Sequence, residues 1–178
     1  MKTAIAATFA ALFLAAAAAS PAAAQAVSGG YGGFTALPSA GEQPIADREY
    51  RVIMDLTQGG PDDKPLKVLE RVARLVNILD AGGVDQQHRK IVVVMHGGST
   101  LSTLTDAAWA ARGKGDVNPN SELIRNLAAA GVQLRLCGQS MVANGLTPAD
   151  LNPAVQVDVA ALMTVIHHQQ QGYALVIN

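Results

Sequence analysis

A second cysteine is what this chain most conspicuously lacks: Cys137 is the only one among 178 residues. No disulfide can therefore close within the chain, and without a Cys-x-x-Cys pair thioredoxin-type exchange inside one molecule is excluded. A Walker phosphate loop is missing too. His96-Gly97-Gly98 faintly resembles an esterase oxyanion loop, but Gly138-Gln139-Ser140-Met141-Val142 has no second glycine to complete G-x-S-x-G. Charge of one sign is scarce as well: 13 basic residues stand against 14 acidic ones, with no basic patch or arginine-rich run. Nucleic acid is not an expected partner on that pattern. Beyond the first two dozen residues, no apolar run approaches the roughly 20 residues that a membrane-spanning helix needs.

The amino-terminal segment reads as an address. Met1-Lys2 gives a positive start, Thr3 to Ala19 is almost wholly apolar, and Ala22-Ala23-Ala24 offers small residues for cleavage. This pattern predicts a secretory signal peptide over residues 1–24, Gln25 as the new terminus, and a periplasmic protein with no membrane attachment after cleavage. Export sharpens the cysteine question, because exported proteins usually use cysteines in pairs. A lone thiol is then a small buried hydrophobe, bonded to something else, or kept for chemistry.

Residues 25–47 read as a flexible lead-in, since Ser28 to Gly33 is glycine-rich and Pro38 and Pro44 interrupt any periodicity. A single domain is expected over residues 48–178. Tyr50–Leu56 reads as a strand. Lys64–Asp80 carries apolar residues at Leu66, Leu69, Val72, Ala73, Val76 and Leu79, which is helical spacing. Lys90–His96 is apolar on both faces, the mark of a strand inside a parallel sheet. A short helix is expected near Ala107–Ala111, and another that Asn118-Pro119 would cap. Val132–Leu136 and Val155–Val159 read as strands, Ala160–Gln171 as a helix, and Ala174–Ile177 as a last strand. The alternation predicts an α/β fold: an open, mainly parallel sheet of about five strands with helices on both faces.

In such sheets, ligands gather beyond the carboxyl ends of the strands. Two segments carry polar groups there: His96-Gly97-Gly98 after the second strand and Cys137-Gly138-Gln139-Ser140 after the third. Cys137 at a helix start would feel the positive end of the helix dipole, which favours thiolate. Packing beside Leu134 and Leu136 explains the same cysteine without any chemistry. His96 reads either as a group that orients or deprotonates a ligand, or as a histidine hydrogen-bonded at a strand end. His167 and His168 suit a helix carboxyl end, Trp109 suits packing, and Met54, Met95, Met141 and Met163 are spaced like core residues.

The segments KIVVVMHGG (Lys90–Gly98), NPNSELIRNLAAAGVQLRLCGQS (Asn118–Ser140), DLNPAVQV (Asp150–Val157) and the terminal QGYALVIN resemble the DsrE/DsrF-like family. They are nearest to its exported branch, the intracellular sulfur oxidation protein-like members. The resemblance implies a parallel α/β sheet of flavodoxin-like layering, assembled as trimers or hexamers. It also implies a sulfur-carrier or sulfurtransferase-like role, with sulfane sulfur held as a persulfide on Cys137. Gly138 and Gln139 would support the sulfur anion, with His96 and Gly97 beside it. Donor and acceptor thiols or proteins would be the partners, no cofactor would be required, and export would demand partners other than those of cytoplasmic relays. Two other readings stand beside it: a metal- or haem-binding module using Cys137 with His96, and a non-catalytic oligomeric interaction protein.

Overall fold

The computed structural model of the chain describes residues 28–177. The expected signal peptide and residues 25–27 of the lead-in lie outside these. Among the described residues no helix is long and apolar enough to cross a membrane.

Five strands form one sheet: β1 (Tyr50–Leu56), β2 (Arg89–Met95), β3 (Gln133–Cys137), β4 (Val155–Asp158) and β5 (Ala174–Ile177). Their spatial order is β4-β3-β2-β1-β5, and every pairing is parallel. The chain therefore steps one way across the sheet from β1 to β4, then reverses to lay β5 beside β1. Right-handed crossovers put the connecting helices on one face during the outward walk and on the other after the reversal.

The side chains record that division. Val52, Met54 and Leu56 of β1 belong to a large core together with Ile91, Val93 and Met95 of β2. The helices α1 (Lys67–Ala81) and α3 (Ser121–Ala129) cover it, supplying Leu69, Val72, Val76, Leu123, Ile124 and Leu127. Each such side chain, fully removed from water, contributes about 1.5–3 kcal/mol. The alternate residues Ile53, Val92 and Val94 face the other way, into a much smaller cluster with Cys137 and Ala161. The last helix, α5 (Ala161–Gln170), covers this second face. Only Ala161 and Thr164 of α5 are buried; Leu162, Met163 and Ile166 are exposed. Met163 is thus not the core residue its spacing suggested, because its helix has one face on the sheet and the rest open. Met54 and Met95 are core residues, and Trp109 is 3% exposed with its indole N–H on the Lys114 carbonyl at 2.9 Å.

Several local boundaries moved for identifiable reasons. α1 begins at Lys67 rather than Lys64: Pro65 disfavours helix in the residue before it, and the Leu66 N–H is taken by Asn120 Oδ1 at 2.8 Å. Asn118 does not cap α3. Its side-chain amide donates to the carbonyls of Ser102 and Leu104, tying down a 3₁₀ segment, Gly97–Thr103, that lacks any helical periodicity in sequence. The residue before α3 is Asn120, and the first-turn hydroxyl of Ser121 donates to Asp106 at 2.6 Å. The short helix α2 (Asp106–Ala110) falls where expected, with Thr105 Oγ1 accepting the Ala108 N–H. Thr147 and Asp150 form a capping box around a 3₁₀ turn, Pro148–Asp150.

The lead-in makes definite contacts where it is described. Ser28 is fully buried and donates to Asn77 Oδ1 at 2.9 Å, while the Asn77 amide donates to the carbonyls of Tyr31 and Gly32. A buried asparagine in α1 is satisfied this way, which removes the penalty of about 1–3 kcal/mol for an unpaired buried polar group.

Candidate functional site

The two-residue period of the strands decides what meets at their carboxyl ends. Asp55 follows Ile53 on β1, His96 follows Val94 just past β2, and Cys137 ends β3; all three project on the α5 side of the sheet. The amino end of α5 closes over them. The result is a cleft of about 280 Å³ lined by Asp55, His96, Cys137, Gln139, Ala160, Ala161, Leu162 and Val165.

Cys137 is both the last residue of β3 and the residue preceding α4 (Gly138–Ala143), with extended backbone at φ −65° and ψ 116°. Its side chain is largely buried, at 6% exposure. Burial pushes the thiol pKa up and is the largest single influence. Against it stand the Ser140 N–H, the Ala161 N–H, the Ser140 hydroxyl and the Gln139 N–H, which together hold the thiol below the ordinary cysteine value. Two helix starts therefore serve one sulfur: the first turn of α4, expected from sequence, and Ala161 at the start of α5, supplied by tertiary structure.

The expected partners take more specific parts than their positions suggested. Gly138 leaves room, but for the chain itself: a Cβ there would lie 2.8 Å from the Asp158 carbonyl oxygen. Absence of a side chain is what lets the β4–α5 connection come close enough to bring Ala161 to the sulfur. Gln139 spans the same gap, its amide donating to the Val159 carbonyl at 3.0 Å. Asp158 completes the brace, accepting from Arg135 at 3.2 Å and from Thr164 at 2.7 Å, so β3, β4 and α5 are joined at one carboxylate.

The His96 loop is fixed from three sides. The His96 N–H donates to the Leu56 carbonyl and to Ser99 Oγ, and the Gly98 N–H donates to the Thr57 carbonyl. Gly97, at φ +57°, turns its N–H to Ser140 Oγ at 3.3 Å. The imidazole is held by Asp55, whose Oδ1 lies 2.7 Å from His96 Nε2. With the carboxylate as acceptor, Nε2 carries the hydrogen, and in the neutral ring Nδ1 is the accepting nitrogen. The His96 side chain also faces the Ser99 backbone N–H in a capping box that opens the 3₁₀ segment.

A model of the DsrE/DsrF-like family matches residues 51–177. The chain belongs to this family. Among solved structures it is similar to the protein of unknown function MTH1491 from Methanobacterium thermoautotrophicum, at 20% identity and a TM-score of 0.53. That match covers 72% of this chain and 99% of the other, and carries the fold alone. No curated protein sequence matches.

In this DsrE/DsrF-like chain Cys137, His96 and Gln139 line one cleft; Gly97 and Gly138 are not in its lining, Gly97 bonding Ser140 and Gly138 admitting the β4–α5 connection. Three contributors escaped sequence reading. Asp55 is a lone carboxylate directly after the apolar run Val52–Met54, a signal present in YRVIMDL. Ser140 stands in the polar segment Cys137–Ser140, but its bond to the sulfur does not show in the sequence. Ala161 contributes a backbone group, which leaves no sequence trace. Cys137 and His96 share the cleft, yet no group of three or more His, Cys, Asp or Glu able to hold a metal occurs among the described residues. His168 lies apart, its Nδ1 2.7 Å from the Thr164 carbonyl and its ring edge-on to Tyr173.

Proposed function

We propose that this protein is an exported, periplasmic sulfur carrier that holds sulfane sulfur as a persulfide on Cys137. The observation that carries this reading is the convergence of donors from α4 and α5 on a thiol that faces an open cleft. Such donors raise the thiolate fraction above that of an ordinary cysteine, and they suit the anion of a persulfide that replaces it.

The cycle has two displacements. Cys137 thiolate attacks the outer sulfur of a donor R–S–SH; a new S–S bond forms, the old one breaks, and R–S⁻ leaves with its electron pair. An acceptor thiolate then attacks the outer sulfur of the Cys137 persulfide and restores the thiolate. One sulfur atom moves, nothing is oxidised or reduced overall, and no cofactor is required. Asp55 orients His96 in the cleft wall, and the imidazole takes the proton of an incoming acceptor thiol.

Export rests on the leader pattern of residues 1–24. Self-association is supported by the apolar side chains that α5 exposes away from the cleft, Met163 and Ile166. The test is sulfur loading: reduced protein treated with a hydropersulfide gains one sulfur atom by intact mass, and Cys137→Ser does not. Loading at no site, or equal loading in the variant, would refute the carrier reading.

A further inference from the structure

The cleft's lining bears on which sulfur donor it takes. Resting on the carrier reading above, the geometry points to organic hydropersulfides with an uncharged, apolar group next to the sulfur, and against inorganic oxyanion donors such as thiosulfate.

Charge is the first reason. Among the described residues, no lysine or arginine lines the cleft; its one acidic side chain is Asp55, balanced at most by His96. The nearest basic group on the same face of β3, Arg135, is committed to Asp158. Bidentate or clustered cations are the usual means of holding a dianion, and none faces this space.

Hydrogen bonding is the second reason. An oxyanion brought out of water needs replacement donors. The N–H groups of Gln139, Ser140 and Ala161 already serve the Cys137 sulfur, and the Gln139 amide is spent on the Val159 carbonyl. A sulfonate group would find the cleft's donors occupied.

Apolar surface is the third. Ala160, Ala161, Leu162 and Val165 form the wall contributed by the start of α5 and the residue before it, and Leu162 stands 74% exposed. This wall offers an alkyl or aryl group burial while only the S–SH unit reaches Cys137. After attack, the departing R–S⁻ is singly charged, whereas thiosulfate would release sulfite, a dianion, against Asp55.

The experiment compares benzyl hydropersulfide with thiosulfate as donors to the full reduced chain, following Cys137 loading by intact mass. Each rate is divided by that donor's rate with a free small thiol, which removes intrinsic reactivity. The expected normalised preference for the organic donor is at least about tenfold, the low end of what local charge does to encounter rates. Leu162→Lys, a substitution at an exposed position, places a cation at the mouth and narrows the ratio. A normalised thiosulfate rate equal to or above the organic one overturns this inference and leaves the carrier intact, as does a ratio unmoved in Leu162→Lys. Failure of both donors to load Cys137 overturns the carrier itself.

Discussion

The hydroxyl of Ser140 accepts the Gly97 N–H at 3.3 Å and is at the same time one of the donors that favour the Cys137 thiolate. One side chain thus couples the loop after β2 to the sulfur after β3. Ser140→Ala removes that donor and leaves the backbone amides, so the thiol pKa rises toward the ordinary cysteine value. Below that value the thiolate fraction falls, and iodoacetamide alkylation at neutral pH slows several-fold while the rate at high pH is unchanged. A pH–rate profile of alkylation, wild type against variant, checks this; identical profiles contradict it.

Gly138→Ala tests the close approach of the β4–α5 connection. The new methyl meets the Asp158 carbonyl at 2.8 Å, which is backbone and cannot rotate away. Overpacking of this kind costs about 1–3 kcal/mol. Chemical denaturation measures that loss, and slower neutral-pH alkylation should accompany it because Ala161 is pushed from the sulfur. A variant of full stability and full reactivity would show that the contact yields without consequence.

Asp158→Ala probes the same geometry from the other side. It frees Arg135 and Thr164 together, and with them the start of α5. The pair with Arg135 is partly solvated, each side chain being about one-fifth exposed, so its direct contribution stays near 1 kcal/mol. The larger effect falls on Cys137: hydrogen exchange at the first turn of α5 quickens, and alkylation at neutral pH slows. Unchanged exchange at Ala161 would show that Asp158 does not hold the start of α5.

Much of this arrangement was legible before any coordinates, and the exceptions share a cause. KIVVVM announces a doubly covered strand because β-branched residues on both faces fit nothing else, and Cys137 at a strand exit follows from that framework. Asp55 was readable in principle, since neighbouring parallel strands bring their carboxyl ends together. Ala161 was not, because the order β4-β3-β2-β1-β5 and the return of α5 across the second face depend on the whole chain. Met163 and Asn118 do not follow local rules. Spacing cannot tell a helix with one covered side from one with two, and the Asn118 Oδ1 that would cap a helix accepts from the Asn120 N–H and side-chain amide, before α3 starts at Ser121.

His96→Ala separates the two displacements. Loading of Cys137 from a hydropersulfide should be nearly unaffected, because the thiolate is sustained by backbone groups. Transfer onward to a thiol acceptor should slow by about 100-fold, the lower part of the range for a general base. The deficit should vanish as pH rises above the acceptor's own pKa, where no proton remains to be taken. Stopped-flow transfer rates across pH decide it, and a loss that persists at high pH would assign His96 a purely structural part.

Sulfur carriage by Cys137 underlies each of these outcomes. Intact mass of the reduced chain after exposure to a hydropersulfide, beside Cys137→Ser, tests it most directly. The wild type should gain one sulfur atom, lost again to a thiol acceptor, and the variant none. A wild-type mass that stays unchanged, with Cys137 unreactive to iodoacetamide at neutral pH, would contradict it.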